Sequence, residues 1–211
     1  VSAKFRFVFF DVDSTLVSIE GIDVLAGGSE EIARLTDAAM NGEIPLDDVY
    51  ARRLEAIHPS RAAVEALGQR YITSLLPGVT DACQALRAAG VQIHLVTAGI
   101  AQAIAPLAAH LEVPPRSVHA VALRFDQAGR YEDFDRRSLL ARAGGKELVV
   151  RAVRARSHGR AAFVGDGVSD LETRPAVDLF IGFGGVEVRE RVRAGADLFV
   201  TSFAELLPHL L

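Results

Sequence analysis

Asp11 and Asp13 stand one residue apart directly after the apolar run Phe7 to Phe10, and Asp166 and Asp170 follow a second apolar run, Ala161 to Val164. Carboxylates separated by one residue can project to the same side while the backbone between them bends around a ligand. One can attack phosphorus as a nucleophile and leave an aspartyl phosphate. The other can give a proton to the departing alkoxide and later take one from water. The second acidic pair lies in the stretch Gly165, Asp166, Gly167, Val168, Ser169, Asp170, where the glycines let the backbone turn sharply. Oxygen ligands of this kind suit magnesium, which keeps several waters and needs only two or three carboxylates plus a substrate phosphate oxygen. Either segment alone could be a solvated acidic turn or cap. Together they read as one magnesium-dependent phosphoryl-transfer site built from two strand ends.

A phosphoryl group in flight also needs positive and hydrogen-bonding partners for its equatorial oxygens. Thr97 ends the apolar run Val91 to Val96 and is followed by Ala98 and Gly99. Backbone N–H groups there could bind an oxyanion at the start of the next helix. Lys146 follows Gly144 and Gly145 near another helix start, where the dipole disfavours a cation. A compensating anion nearby would explain that placement.

Elements must bring these groups together. Strands are expected at Phe5 to Phe10, Val91 to Val96, Ala161 to Val164, Leu179 to Ile181 and Leu198 to Val200. Helices are expected at Asp81 to Ala89, Ile100 to Leu111, Lys146 to Ala155 and Val188 to Ala194, and Ser202 with Glu205 forms a capping box for a last one. Such alternation predicts an α/β fold with a doubly wound, mostly parallel sheet, a Rossmann-like core whose ligands bind at the C-terminal strand ends. Between Ser18 and Thr73 the apolar spacing turns helical, as in Ile32 with Leu35 and Val64 with Leu67. The chain is therefore divided into a core of residues 1–17 and 74–211 and an inserted helical cap of residues 18–73. From Ala122 to Phe134, alternating runs around Gln127, Ala128 and Gly129 predict a β-hairpin placed at the sheet edge.

Composition narrows the function classes. A 211-residue chain that is half apolar can bury one sizeable core, and a net charge of -4 argues against broad adhesion to nucleic acid or anionic membrane. The N-terminal apolar run stops far short of a membrane span. Cys83 is the one cysteine, which excludes an internal disulfide and a thiolate cluster and suits a reducing cytoplasm; inside a helix it is a packing residue. The six histidines are scattered without ligand spacing, so no zinc site is expected. The segment FIGFGG lacks the Lys and Ser/Thr of a P-loop.

The segments DVDST, Thr97, Lys146 and GDGVSD, in that order, resemble the haloacid dehalogenase superfamily of aspartate-nucleophile phosphatases. Along nearly the whole chain, through DVDSTLVSIEGID, the segment Met40 to Leu54, LLPGV and FIGFGG, the sequence is similar to the phosphoserine phosphatases. That resemblance implies hydrolysis of O-phosphoserine to serine and phosphate with Mg²⁺ as cofactor. It implies Asp11 as nucleophile and Asp13 as acid/base. Asp11, Asp166 and Asp13, the last through its backbone carbonyl, would be the metal ligands, with Asp170 supporting the metal. Thr97, Ala98, Gly99 and Lys146 would hold phosphate, with Met40 and Ser169 among the substrate contacts. It further implies that Glu20 faces the substrate ammonium and Arg53 clamps its carboxylate, a match for a zwitterion; spacing alone does not separate Arg53 from Arg52. The chain departs from the family in having Thr97 and Ala98 where Ser-Gly is usual and Leu46 where a phenylalanine is usual.

Two other readings share these residues. One is a phosphatase or phosphotransferase for another small phosphorylated amine or amino acid. The other is a non-catalytic binder of a phosphorylated ligand on the same scaffold, for which the acid/base Asp13 has no chemical use. A response-regulator-like phosphoacceptor would not need the insertion.

Overall fold

The computed structural model describes residues 3–211, so the first two residues of the predicted core segment 1–17 lie outside the described residues. The core begins with β1 (Phe7–Phe10), every residue of which is buried. The chain then forms α1 (Gly21–Leu25), α2 (Glu30–Met40), α3 (Leu46–Ile57) and α4 (Arg61–Thr73) before returning to α5 (Val79–Ala88) and β2 (Gln92–Ile100). Next come α6 (Ala101–His110), β3 (Val118–Val121), β4 (Leu123–Phe125), β5 (Tyr131–Phe134), α7 (Gly145–Arg154) and β6 (Ala161–Gly165). The last part contains α8 (Val168–Leu171), β7 (Leu179–Phe183), α9 (Glu190–Gly195), β8 (Leu198–Val200) and α10 (Phe203–Leu210).

Six strands form one sheet in the order β3-β2-β1-β6-β7-β8, and every pairing is parallel. Strands following β1 run outward on one side and those following β6 on the other, so the order reverses between β1 and β6. A doubly wound sheet opens its crevice beyond the C-terminal ends of that strand pair. Asp11 and Asp166 are delivered there, because Phe10 pairs with Val164 and the Asp11 N–H donates to the Val164 carbonyl at 3.0 Å.

Strand alternation sorts the core into two layers. Phe10 meets Phe203 of α10 at 6.2 Å between ring centroids. On the opposite face Phe180, Phe163 and Phe9 stack in sequence across three neighbouring strands, at 6.3 and 6.4 Å, and His94 on the next strand lies tilted against Phe9 at 5.1 Å. Cys83 is buried on α5, as a packing residue should be. No helix among the described residues is long and apolar enough to cross a membrane.

The four helices α1 to α4 leave and rejoin the sheet through one crossing. Val17 bridges Leu75 in antiparallel fashion, the Ser18 N–H donates to the Ser74 carbonyl at 2.9 Å, and the Leu76 N–H donates to the Leu16 carbonyl at 3.0 Å. Ser29 and Ser60 begin α2 and α4 by accepting N–H groups of Ile32 and Ala63 on their hydroxyls. Ser202 caps α10 the same way through Glu205, whose carboxylate reaches back to the Thr201 N–H.

Three sequence expectations need correction. The hairpin forms, but β4 and β5 make a separate two-stranded sheet; the edge of the main sheet is β3, which pairs with β2 just before the hairpin begins. The hairpin turn is tied instead to the start of α4, where the Arg61 N–H donates to the Gly129 carbonyl at 2.8 Å. β2 continues past Val96 to Ile100, so Ile100 caps α6 in extended conformation and is not its first helical residue. Helix α9 starts at Glu190, later than the expected Val188.

Candidate active site

The loop after β1 folds back tightly on itself. The N–H groups of Leu16 and Val17 both donate to the Val12 carbonyl, at 2.8 and 3.2 Å, and Ser14 adopts a left-handed φ of 52°. This turn holds Asp11 and Asp13 at the crevice with 2% and 9% exposure. Asp13 is fixed by one oxygen: Oδ1 accepts the Gly21 N–H at 2.7 Å and the Tyr71 hydroxyl at 2.8 Å. Its Oδ2 lies beside Gly99, where a Cβ would come within 3.2 Å of it and within 3.1 Å of Thr97 Oγ1. A side chain at position 99 would therefore press on both groups and shift them by a few tenths of an ångström.

After β6, the loop carrying Asp166 and Asp170 is equally constrained. Asp166 Oδ1 accepts the Thr15 hydroxyl at 2.9 Å, and its Oδ2 lies 3.4 Å from Nε of the buried Arg189. Asp170 accepts the Gly167 N–H at 2.9 Å and Lys146 Nζ at 2.7 Å. A Cβ on Gly165 would collide with the Asp170 side chain at 2.3 Å, so the tight turn requires glycine there. Lys146 also lies 2.9 Å from Asp11 Oδ1. The anion that its unfavourable position at the start of α7 called for is this pair of buried carboxylates.

Carboxylate oxygens of Asp11, Asp166 and Asp170 all lie within 4.8 Å of one another. Burial, followed by the nearby charge of Asp11, pushes Asp13 up to about 6 and Asp166 up to about 7. The same causes raise Asp170. Burial alone would lower the Lys146 ammonium, but Asp11 and Asp170 outweigh it and hold it above an ordinary lysine. Asp11 Oδ1 is buried without an aligned hydrogen bond despite the proximity of Lys146. An oxygen-only, over-negative cluster with an unsatisfied carboxylate oxygen fits a hard divalent cation.

A pocket of about 760 Å³, counting the part open to solvent, lies between this rim and helices α1 to α4. Asp11, Asp13, Thr97, Ala98, Gly99 and Lys146 line its floor. Glu20, Met40, Arg53 and Ser169 line it as well, as does Leu46. Asp166 and Asp170 are not among the lining residues; Asp170 is joined to the floor through Lys146, and Asp166 accepts the hydroxyl of Thr15 from the loop that carries Asp11 and Asp13. Arg53 lines the pocket and is 6% exposed, whereas Arg52 pairs with Glu31 outside it. Of the two arginines that spacing did not separate, Arg53 is the one that lines the pocket.

Glu20 accepts the Ser14 hydroxyl at 2.5 Å, and burial together with the charges of Asp13 and Asp166 raises its carboxyl well above the usual range. Burial lowers the Arg53 guanidinium, whose Nε has no partner. Several supporting residues had no role in the sequence reading. Thr15 lay inside the DVDST motif, but Tyr71, Tyr50 and Arg189 showed no local signal. Tyr71 is spaced as an apolar residue of α4, and Tyr50 sends its hydroxyl to the Ala98 carbonyl at 2.9 Å. His94 and His119, distant in sequence, meet at 3.2 Å across β2 and β3, away from the pocket.

Comparison with known proteins agrees with this geometry. A family model described as haloacid dehalogenase-like hydrolase matches residues 8–173. The phosphoserine phosphatase of Mus musculus is 37% identical over 207 residues, covering 96% of this chain and 92% of the mouse protein. Among solved structures, a phosphoserine phosphohydrolase-like protein from Francisella tularensis superposes with a TM-score of 0.89 at 23% identity, covering 98% of this chain and 100% of that one. A phospho-aspartyl intermediate analogue of phosphoserine phosphatase superposes with a TM-score of 0.85 at 21% identity, covering 99% and 100%. With a parallel sheet that delivers its acidic residues to the switch point and relatives about 37% identical over nearly the whole chain, the chain belongs to the haloacid dehalogenase-like hydrolases, in their phosphoserine phosphatase family.

Proposed function

We propose that this protein hydrolyses O-phosphoserine to serine and inorganic phosphate through an aspartyl phosphate on Asp11. The observation that carries the reading is that one pocket joins the Asp11–Asp13 rim to Glu20 and Arg53. Glu20 is an acid short of positive charge and Arg53 a buried base with a free N–H. The pair suits the ammonium and carboxylate of an amino acid, with Arg presenting a planar fork to the latter. Residues 18–73 act as a cap that closes the polar half of the substrate away from water.

In the first step the Asp11 carboxylate attacks phosphorus and the bond from phosphorus to the serine oxygen breaks. The electron pair leaves with that oxygen, which takes a proton from Asp13. The arrangement at Asp13 suits this role, because Oδ1 is occupied by Tyr71 and Gly21 while Oδ2 borders the pocket. In the second step water attacks phosphorus, Asp13 takes its proton, and the bond to Asp11 breaks to release phosphate. Lys146, Thr97 and the N–H groups near Ala98 and Gly99 hold the phosphoryl oxygens. Asp11, Asp166 and the Asp13 carbonyl would hold Mg²⁺, with Asp170 in support; the ion supplies charge neutralisation around the phosphoryl group.

Phosphate release from L-phosphoserine, phosphothreonine and an aryl phosphate, each with and without Mg²⁺, tests the reading. Magnesium-dependent release that prefers phosphoserine supports it. Activity confined to the aryl ester would remove the roles given to Glu20 and Arg53, and no release from any ester would favour a binding module.

A further inference from the structure

Arg53 enters the pocket from α3 without a carboxylate partner at hydrogen-bond distance. Its Nη1 donates instead to the Thr36 hydroxyl at 3.1 Å, and Thr36 is 2% exposed on the facing helix α2. That hydroxyl has one proton to give. Two acceptors face it: Asp23 Oδ1 on α1 at 2.7 Å and its own helix carbonyl, Ile32 O, at 3.0 Å. The nearer, charged acceptor takes the proton, since charge-assisted bonds are shorter and about twice as strong as neutral ones. A lone pair of Thr36 is then left aimed at Arg53. Behind the guanidinium, the Tyr50 ring centroid lies 6.0 Å from Cζ, and the Tyr50 hydroxyl is itself tied to the Ala98 carbonyl. The fork is thus fixed on two sides, while Nε remains without a partner in a pocket-lining residue.

We infer that Thr36, oriented by Asp23, is a positioning residue that sets carboxylate selectivity by holding the Arg53 fork in one orientation. This rests on the reading that Arg53 binds the substrate carboxylate. A hydroxyl partner suits the task better than a carboxylate would. An Asp at position 36 would neutralise Arg53 and compete with the incoming substrate, whereas Thr36 orients the guanidinium and leaves its charge available.

Thr36→Val keeps the shape and removes the hydroxyl. Losing a bond to a charged group predicts a KM for L-phosphoserine raised about tenfold, with kcat changed by less than about twofold. O-phosphoethanolamine, which has the ammonium and phosphate but no carboxylate, should show an unchanged kcat/KM. Thr36→Ser should restore the KM for phosphoserine. Asp23→Asn, outside the core, should raise that KM in the same selective way and supplies the test if Thr36→Val does not fold. Arg53→Lys separates the two levels of the argument. If it raises the phosphoserine KM while Thr36→Val and Asp23→Asn leave it unchanged, the positioning role is refuted and the carboxylate reading stands. If Arg53→Lys also changes nothing, that reading fails and the inference falls with it. Equal losses on both substrates in Thr36→Val would show a general structural role and would likewise overturn the inference.

Discussion

His94 gives the fold a pH dependence whose sign and size follow from its surroundings. It is 6% exposed, tilted against Phe9, with Nδ1 3.2 Å from His119 and Nε2 without a partner. Burial first, then the positive fields of His119 and Arg116, lower its imidazole from 6.5 to about 4. The folded state therefore holds fewer protons than the unfolded one, and stability is fully present above about 6.5 and lost as pH falls toward 4. Between pH 7 and pH 5 the unfolded histidine becomes almost fully protonated while the folded one stays neutral. Linkage puts the loss at about 1 to 2 kcal/mol, or about 3 to 6 °C in Tm for a chain of this size. Asp13 and Asp166, raised in the folded state, act in the opposite sense, since their contribution to stability falls as pH rises through the same region. The comparison must therefore be made between variants. Thermal or urea unfolding of wild type and His94→Phe at pH 7, 6 and 5 is the assay. The variant, which keeps an aromatic ring beside Phe9, should lose less stability on acidification, by the amount given. Parallel pH profiles for the two proteins would refute the reasoning.

The acid/base pair offers a kinetic counterpart. Tyr71→Phe removes one of the two donors on Asp13 Oδ1 at the loss of a single oxygen; the alkaline limb of the kcat/KM profile, where Asp13 loses the proton it must donate to the leaving oxygen, should move up by about one pH unit, which is ~1.4 kcal/mol, and an unmoved limb would exclude Tyr71 as a tuning group. Lys146→Met leaves Asp11 and Asp170 without their shared cation. It should lower stability by about 3 to 5 kcal/mol at neutral pH in urea titrations without divalent metal, and the loss should shrink on acidification as the carboxylates take up protons. Gly99→Ala places a methyl group against Thr97 Oγ1 and Asp13 Oδ2. Turnover should drop about tenfold or more with little change in Tm, because the crowded atoms border the pocket.

Residues with local signals were readable before the fold was known. β1 and β6 are short, wholly buried runs that end at carboxylates, and their sequence alone places Asp11 and Asp166 at strand ends; that the two strands are neighbours comes from the sheet order. Lys146 was readable as an anomaly, a cation at the wrong helix end, and the anions that resolve it are Asp11 and Asp170. Tertiary partners were not readable. Tyr71 looks like an apolar position of α4, and only the packing of that helix over the first loop brings its hydroxyl to Asp13. Arg189 sits in an exposed-looking charged stretch yet is buried against Asp166. The hairpin was legible from turn chemistry around Gly129, but its place was not, because β3 is a run of only four residues that directly precedes the hairpin, gives little strand signal of its own and still takes the edge of the sheet.

The most direct test of the account is to identify the residue that carries the phosphoryl group. Turnover of L-phosphoserine with Mg²⁺ is quenched in acid, and the digested protein is mapped by mass spectrometry, for wild type and Asp11→Asn. The account predicts a phosphoryl group on Asp11 in the wild type, with neither the adduct nor phosphate release in the variant. Undiminished phosphate release by Asp11→Asn, or an adduct on a different residue, would contradict it.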